Sequence, residues 1–251
     1  MNSIKRFSLL VAAMMLSLGL QAKPFTLVID AGHGGKDPGA VGHKLREKDI
    51  NLRVALALGR LVEQNMSDVK VIYTRKTDVF VELNERAAIA NRAKADLFLS
   101  IHTNASGGNF SVSGTETYTL GMHRASSNLE VAKRENSAIM LETNYEEKYE
   151  GFNPKSSESY IIFELMQDQY MKQSVSLAGM IQKQFVTTAQ RRNRGVHQAG
   201  FLVLRATSMP SVLVELGYIT TASEASYLAT ESATKELSQS LFNAIKKYRE
   251  Q

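Results

Sequence analysis

The sequence predicts a single α/β domain: a mostly parallel or mixed central sheet of about six strands, with helices on both faces and a helical insertion. Short apolar runs alternate with amphipathic segments along the first 120 residues, which is the strand–helix rhythm of a sheet covered by helices. The 251 residues are 43% hydrophobic and 22% charged, and no cysteine is present. This composition is typical of a globular protein with a sizeable core.

The strands are predicted from short runs of apolar residues, several of them ended by glycine or polar residues. These runs are Phe25–Asp30, Val69–Thr74, Asp96–Ile101, Thr115–Leu120, Phe201–Leu204 and Ser211–Leu216.

The helices are predicted from apolar residues at intervals of three and four. They cover Glu47–Gln64, Leu83–Ala95 and Glu231–Tyr248, and a long helix is expected over Tyr160–Gln190. Before it, the sequence predicts a charged helix over 129–141 and a polar loop over 144–158. We interpret residues 123–160 as an insertion into the domain.

The first 22 residues resemble a secretory signal peptide. Lys5 and Arg6 precede an uncharged apolar run from Phe7 to Leu20, and the small residue Ala22 then marks the cleavage site. The run is shorter than the roughly 20 residues that span a bilayer, which argues against a stable membrane anchor. We therefore expect an exported protein of the periplasm or cell envelope, with residues 23–251 forming the domain.

The lack of cysteine and the small net charge exclude several classes of function. Thiolate catalysis, cysteine-ligated zinc and iron–sulfur clusters need cysteine, so a metal would have to be held by histidine and carboxylates. The formal net charge of +5 could favour an anionic polymer such as nucleic acid or cell wall, but it is too small to choose between them. We expect no nucleic-acid partner. The glycine-rich stretch at 32–35 lacks the Gly-Lys-Ser/Thr ending of a phosphate-binding loop.

Polar side chains stand where three predicted strands end. His33 follows the first strand, His102 ends the third, Glu215 ends the last, and Glu47 opens the first helix. Ligands of open α/β sheets bind beyond the carboxyl ends of the strands, so these four side chains are expected to meet there. Two histidines and one glutamate form a common catalytic zinc set, and the remaining glutamate suits proton transfer from water. Each residue alone has an ordinary structural interpretation, for example Glu47 at the positive end of a helix dipole.

Three further residues are expected near these four. Asn104, two residues beyond His102, and Arg205, before the last strand, are candidates for substrate binding; loop and strand-end structure is the alternative. Asp30 is a candidate for orienting His33, because metal-bound imidazoles usually donate their other N–H to a protein acceptor.

Four runs of the sequence resemble the zinc-dependent N-acetylmuramoyl-L-alanine amidases of the amidase-3 family. They are VIDAGHGGKDPGAVG (28–42), EKDINL (47–52), NERAAIANRAKADLFLSIHTNA (84–105) and PSVLVELGYIT (210–220). These enzymes cleave the amide between N-acetylmuramic acid and the first L-alanine of the peptidoglycan stem peptide. The resemblance implies a Zn²⁺ ion held by His33, Glu47 and His102, with Glu215 as the catalytic residue. It also implies peptidoglycan as the partner, and we expect a monomer.

The insertion resembles a regulatory helix of cell-division amidases of similar build. That helix lies over the zinc, contributes a glutamate and is displaced by an activator related to LytM-type peptidases. The run VAKRENSAIML (131–141) carries the resemblance, which makes Glu135 or Glu142 the candidate autoinhibitory ligand. A substrate-gripping or merely solvated surface helix is the alternative.

The sequence thus predicts zinc-dependent hydrolysis of peptidoglycan for cell-wall remodelling or daughter-cell separation. Two other functions stay open: a zinc hydrolase of soluble muropeptides, and a catalytically silent wall-binding regulator. The presence of all four chemistry-bearing residues argues against the regulator, because a pure binder does not need them together.

Overall fold

The apolar runs of the sequence form the strands of one central sheet. The structure, a computed structural model, describes residues 23–108, 110–123, 125–165 and 169–251, so the predicted signal peptide lies outside the described residues. In these ranges no helix combines the length and the apolar character that crossing a membrane requires. In chain order, the strands are β1 (Phe25–Ala31), β2 (Val41–Gly42), β3 (Leu45–Arg46), β4 (Val69–Tyr73), β5 (Leu97–Asn104), β6 (Thr115–Leu120), β7 (Asn193–Ala199) and β8 (Ser211–Tyr218).

The α-helices lie between and after these strands. They are α1 (Glu47–Asn65), α2 (Leu83–Arg92), α3 (Ser126–Asn136), α4 (Tyr145–Lys148), α5 (Ile162–Leu165), α6 (Met171–Thr187), α7 (Leu202–Arg205), α8 (Ala222–Leu228) and α9 (Glu231–Arg249). Short 3₁₀ segments cover Ser137–Leu141 and Glu158–Ile161.

The sheet has six strands in the spatial order β4–β1–β5–β8–β6–β7. Neighbouring strands are parallel except for β6 and β8, which are antiparallel. Strands β2 and β3 form a small separate hairpin. The predicted mixed, mostly parallel sheet of about six strands is therefore confirmed.

Two hydrophobic cores lie on opposite faces of this sheet, as predicted. Alternate residues of a strand point to opposite faces, so Leu27 and Ile29 of β1 join the core formed with α1, α6 and α9. Val28 joins the second core, to which α2, α3 and α7 contribute. Strands β5 and β8 are buried at every residue, because helices cover both of their faces.

The structure differs from the sequence-based prediction at three elements. The expected strand Phe201–Leu204 is wrong: Leu202–Arg205 is the short helix α7, and a fully buried run of four apolar residues does not distinguish strand from helix. Strand β7 was not predicted, because its sequence NRGVHQA is polar and half-exposed at the sheet edge. The long helix expected over 160–190 is divided, and α6 begins only at Met171.

A buried ion pair connects the end of β1 to α2. The Arg86 side chain, only 2% exposed, donates from Nη1 to Asp30 Oδ1 at 2.7 Å. The same guanidinium donates to the backbone carbonyls of Ala31, at 2.8 Å, and His33, at 2.9 Å. Hydroxyl groups of Thr74 in the segment after β4 and Ser100 in β5 donate to the two Asp30 oxygens at 2.6 Å each. Asp30 and Arg86 thus fix the backbone of the loop that follows β1.

Asp30→Asn is expected to lower the free energy of unfolding by about 3–5 kcal/mol, because it leaves Arg86 as an uncompensated buried charge. Burial disfavours the charged carboxylate, yet the Arg86 charge and the hydrogen bonds from Ser100, Thr74 and Arg86 hold the pKa of Asp30 below its ordinary value of 3.8. The Asp30 contribution is therefore complete above pH 3.8 and is lost as the pH falls through the lowered pKa.

Urea unfolding of both proteins at several pH values measures this difference. The control is Glu85→Gln, which removes an exposed ion pair with Arg92 and should change the stability little. Equal unfolding midpoints for Asp30→Asn and the unmodified protein at neutral pH would contradict the expectation.

Candidate metal centre and catalytic carboxylate

The loop after β1 carries His33 to the carboxyl edge of the sheet and depends on glycine to do so. A Cβ atom at Gly32 would lie 2.4 Å from the His102 ring, and one at Gly39 would lie 2.6 Å from His33 Cδ2. Glycine at both positions lets the backbone pass directly beside the imidazoles. His33 itself has a left-handed backbone with a φ of 61°, a conformation that costs about 1–3 kcal/mol and is held by surrounding contacts.

Four side chains converge beyond the strand ends: His33, Glu47, His102 and Glu135. Glu47 Oε1 lies 3.2 Å from both His33 Nε2 and His102 Nδ1. Glu135 Oε2 lies 3.0 Å from the same two nitrogens. All four ligand atoms lie within 4.8 Å of one another, and all four residues are buried. The sequence-based grouping of His33, Glu47 and His102 therefore matches the geometry, and the insertion adds Glu135.

Asp37, rather than Asp30, is the carboxylate that orients His33. His33 Nδ1 lies 2.7 Å from Asp37 Oδ2. The expectation that Asp30 does this is wrong, because Asp30 is bound to Arg86, Thr74 and Ser100. With Nδ1–H donated to Asp37, Nε2 is the nitrogen directed at the carboxylates of Glu47 and Glu135.

The backbone around Glu47 fixes its carboxylate in the cluster. Glu47 Oε1 accepts from the Thr103 backbone N–H at 2.8 Å, and Oε2 accepts from the Ala40 N–H at 2.8 Å. Burial disfavours its charged form, but His33 and His102 outweigh that cost and lower the pKa of Glu47 well below its usual range. Glu47, the first residue of α1, is thereby oriented before any ligand binds.

The donor set fits a tetrahedral zinc ion. Ligands at about 2.0–2.1 Å from a tetrahedral zinc stand roughly 3.3 Å apart; four of the six separations between these atoms are 3.0–3.2 Å, and all six are within 4.8 Å. Burial disfavours a charged imidazole at His33, yet Glu47, Asp37 and Glu135 raise its pKa well above the ordinary value. The cluster therefore attracts positive charge, which a divalent cation supplies.

Glu215 lies beside the cluster, in the strand next to His102. In the sheet it is paired with His102 of β5 on one side and Glu116 of β6 on the other. Its side chain is fully buried, and neither carboxylate oxygen is hydrogen-bonded to any residue in the described part of the chain. Burial, with the nearby charges of Glu135 and Glu47, raises the pKa of Glu215 well above its usual range, and Arg134 opposes this rise. Such a carboxylate is suited to accepting and returning a proton.

Of the two predicted substrate-binding residues, only Asn104 lies close to this centre. Arg134 Nη2 donates to Asn104 Oδ1 at 2.9 Å and lies 3.9 Å from Glu215 Oε1. Arg205 instead lies 3.8 Å from Glu150 in the insertion.

Glu142 also lies outside the cluster, so Glu135 is the insertion glutamate that reaches the histidines. Glu142 Oε1 accepts from the Leu83 backbone N–H at 2.9 Å and from Tyr149 Oη at 3.0 Å. It therefore holds the insertion to the beginning of α2.

Sequence reasoning missed Asp37, Arg134 and Glu116. Asp37 lies four residues after His33 in the glycine-rich run, a spacing that could have suggested it. Arg134 directly precedes Glu135, but no pattern in the sequence shows that its guanidinium reaches Asn104. Glu116 accepts hydrogen bonds from Asn104, Tyr118, Tyr218 and Arg194, contacts that only the folded sheet creates.

Comparison with known proteins agrees with this geometry. Residues 27–247 match the family model described as Amidase_3, N-acetylmuramoyl-L-alanine amidase. The chain belongs to the amidase-3 family. The chain is 37% identical over 227 residues to YqiI of Bacillus subtilis, covering 90% of this chain and 85% of that protein.

Two named amidases are also similar to this member of the family. N-acetylmuramoyl-L-alanine amidase AmiC of Escherichia coli O6:H1 is 32% identical over 232 residues, covering 90% of this chain but 53% of that protein. The solved amidase AmiC2 of Nostoc punctiforme has a TM-score of 0.68 at 29% identity, covering 91% of this chain and 98% of the other.

In this amidase, Asp37→Asn is expected to weaken zinc affinity roughly 10–100-fold, because the amide accepts more weakly from His33 Nδ1–H and leaves Nε2 less basic. Competition with a zinc-binding dye measures the affinity. Asp49→Asn, the same charge change at a half-exposed position of α1, is the control and should bind zinc like the unmodified protein. Unchanged affinity in the folded Asp37→Asn protein would show that Asp37 does not act through His33.

Proposed function

We propose that this protein is a zinc-dependent N-acetylmuramoyl-L-alanine amidase that hydrolyses the amide between N-acetylmuramic acid and L-alanine in peptidoglycan. The observation that carries the proposal is the convergence of His33, Glu47 and His102 next to Glu215, a buried carboxylate without a hydrogen bond to any described residue. The geometry supplies a metal-binding set and a proton acceptor on one sheet edge. The family supplies the substrate class.

The roles of the chain's own residues follow from their positions. His33, Glu47 and His102 would hold the zinc, with Asp37 fixing the His33 ring. Zinc supplies a Lewis acid that lowers the pKa of a water molecule and polarises the substrate carbonyl. Glu215 takes the proton of the attacking water on a carboxylate oxygen and returns it to the alanine nitrogen as the carbon–nitrogen bond breaks.

Autoinhibition by Glu135 is part of the proposal. Catalytic zinc sites keep one coordination position open for water or substrate. Glu135 Oε2, 3.0 Å from both His33 Nε2 and His102 Nδ1, is placed to fill that position, so the enzyme would be silent until α3 moves. The resemblance to cell-division amidases suggests an activator related to LytM-type peptidases as the partner that moves it.

Export and a role in wall remodelling complete the proposal. The signal-like residues 1–22 support action in the periplasm or cell envelope, where peptidoglycan is found. Separation of daughter cells is the specific process that the regulatory insertion favours.

Digestion of purified peptidoglycan followed by mass spectrometry tests the activity. The zinc-loaded Glu135→Ala protein is expected to release stem peptides that begin with a free L-alanine amine. Chelation should abolish the release, and Glu215→Gln in the same background should slow it roughly 10²–10⁴-fold, because proton transfer is lost.

Release of no such peptide by the folded, zinc-loaded protein would contradict wall hydrolysis. Cleavage of soluble muropeptides alone would favour the fragment-cleaving hydrolase.

Glu135→Ala is expected to raise the basal rate of the full chain about tenfold or more, because the space that Glu135 occupies beside His33 and His102 would then be free for water. Glu147→Ala is the control: Glu147 lies on the same insertion, in α4, and is exposed. Rates are compared on one soluble muropeptide at saturating zinc. Equal rates for Glu135→Ala and Glu147→Ala would reject autoinhibition by Glu135.

A further inference from the structure

Arg134 fills the space next to Glu215 with hydrogen-bond donors. Its Nη1 donates to the Ala105 backbone carbonyl at 3.0 Å, and its Nη2 donates to Asn104 Oδ1 at 2.9 Å. The same Nη2 lies 3.9 Å from Glu215 Oε1, and Nε donates to Glu135 Oε1 at 3.0 Å. One side chain of the insertion thus satisfies two neutral acceptors on the floor of the site and faces the proposed proton acceptor.

The Asn104 acceptor is fixed independently of Arg134. Asn104 Nδ2 donates to Glu116 Oε2 at 3.0 Å, so the amide oxygen must face the other way. Glu116 is itself held by Tyr118 and Tyr218 hydroxyls at 2.8 Å each and by Arg194 Nε at 2.9 Å. Because Glu116 already receives four hydrogen bonds, it keeps the Asn104 amide in one orientation. Withdrawal of Arg134 would leave Asn104 Oδ1, on a buried residue, and the Ala105 carbonyl, on a half-buried residue, as acceptors open to another donor.

A cavity opens outward from these two acceptors. It has a volume of about 500 Å³, and Asn104, Ala105, Arg134, Arg194 and Tyr218 are among its lining residues. That volume lies in the range of small-ligand sites. The insertion reaches into its inner end with the Arg134 guanidinium.

The proposed proton transfer by Glu215 indicates which part of the substrate binds in this cavity. In the proposed reaction, Glu215 returns its proton to the leaving nitrogen, so the leaving group must lie on the Glu215 side of the metal cluster. The Arg134 nitrogen stands on this side. The leaving group is a peptide, whose backbone offers N–H donors to acceptors such as an amide oxygen and a main-chain carbonyl.

We infer that Asn104 Oδ1 and the Ala105 carbonyl bind the N–H groups of the peptide leaving group, and that Arg134 imitates those groups in the closed state. The inference rests on the proposed function, which it extends by locating the peptide subsite. The insertion therefore blocks the enzyme twice: Glu135 at the metal cluster and Arg134 in the peptide subsite. Removal of Glu135 alone opens the metal cluster and leaves Arg134 in the peptide subsite, so we expect that variant to be only partly active.

Titration calorimetry with the dipeptide L-Ala-γ-D-Glu tests the subsite without requiring turnover. Arg134→Met keeps the aliphatic stem and removes the donors, and it should bind the dipeptide at least about tenfold more tightly than the unmodified chain. Lys133→Met, the neighbouring cation on α3 that contacts Glu130 and Ser157, is the control and should bind like the unmodified chain. Adding Asn104→Leu to Arg134→Met should weaken binding about tenfold.

Equal dipeptide affinity in Arg134→Met and the unmodified chain overturns the inference, as does unchanged affinity after Asn104→Leu. Because Asn104 is buried, a ¹⁵N spectrum provides a second measurement that does not depend on that variant folding. The dipeptide should shift the Asn104 side-chain amide signal in Arg134→Met and not in the unmodified chain; no shift in either protein rejects the subsite.

Dipeptide binding by a protein that cleaves no muropeptide would refute the proposed reaction while leaving the subsite intact. Cleavage of muropeptides without the expected differences in dipeptide affinity would refute the peptide subsite while leaving the proposed reaction intact.

Discussion

The buried contact between Asp30 and Arg86 is the interaction on which the rest of the site depends. Arg86 comes from α2, yet it binds the carbonyls of Ala31 and His33, so a helix sets the path of the loop that leaves β1. Asp30 joins this contact to β5 and the end of β4 through hydroxyl groups. These contacts restrict the loop. They hold His33 in a left-handed backbone conformation that would otherwise be unfavourable.

The electrostatic balance of the site explains why the insertion fits it so closely. Glu47, Glu135 and Glu215 place three carboxylates around two imidazoles, an arrangement that is stable only with added positive charge. Arg134 delivers part of that charge, and a bound cation would deliver the rest. Helix α3 adds one negative group, Glu135, and one positive group, Arg134. Its presence over the site therefore leaves the net charge there unchanged. This balance would let a regulatory segment enter a charged centre and leave it again.

The sequence was sufficient to predict the sheet and the meeting of His33, His102 and Glu215 at its carboxyl edge, because each depends on a local pattern combined with one general rule. Apolar runs locate β1, β5 and β8, and the carboxyl ends of parallel neighbours must meet. Arg86 and Arg134 act through side chains that contact distant parts of the chain, and no local pattern encodes such contacts. Asp30 was assigned to the wrong partner for the same reason. Asp37, only four residues from His33, is the exception. The choice between Glu135 and Glu142 needed the actual bend of the chain at Ser137–Leu141.

The place of β8 in the sheet has a consequence for how the protein is made. Strand β8 lies between β5 and β6, so residues 211–218 must be present before the two parts of the sheet can join. Contacts between residues so far apart in the sequence form slowly. Until β8 is present, β5 lacks a partner strand on that side and the hydrophobic core remains incomplete. A growing chain would therefore remain largely unfolded until most of it had been synthesised. For an enzyme exported as proposed above, this delay would keep the chain in a translocatable form and assemble the hydrolytic centre only after transport.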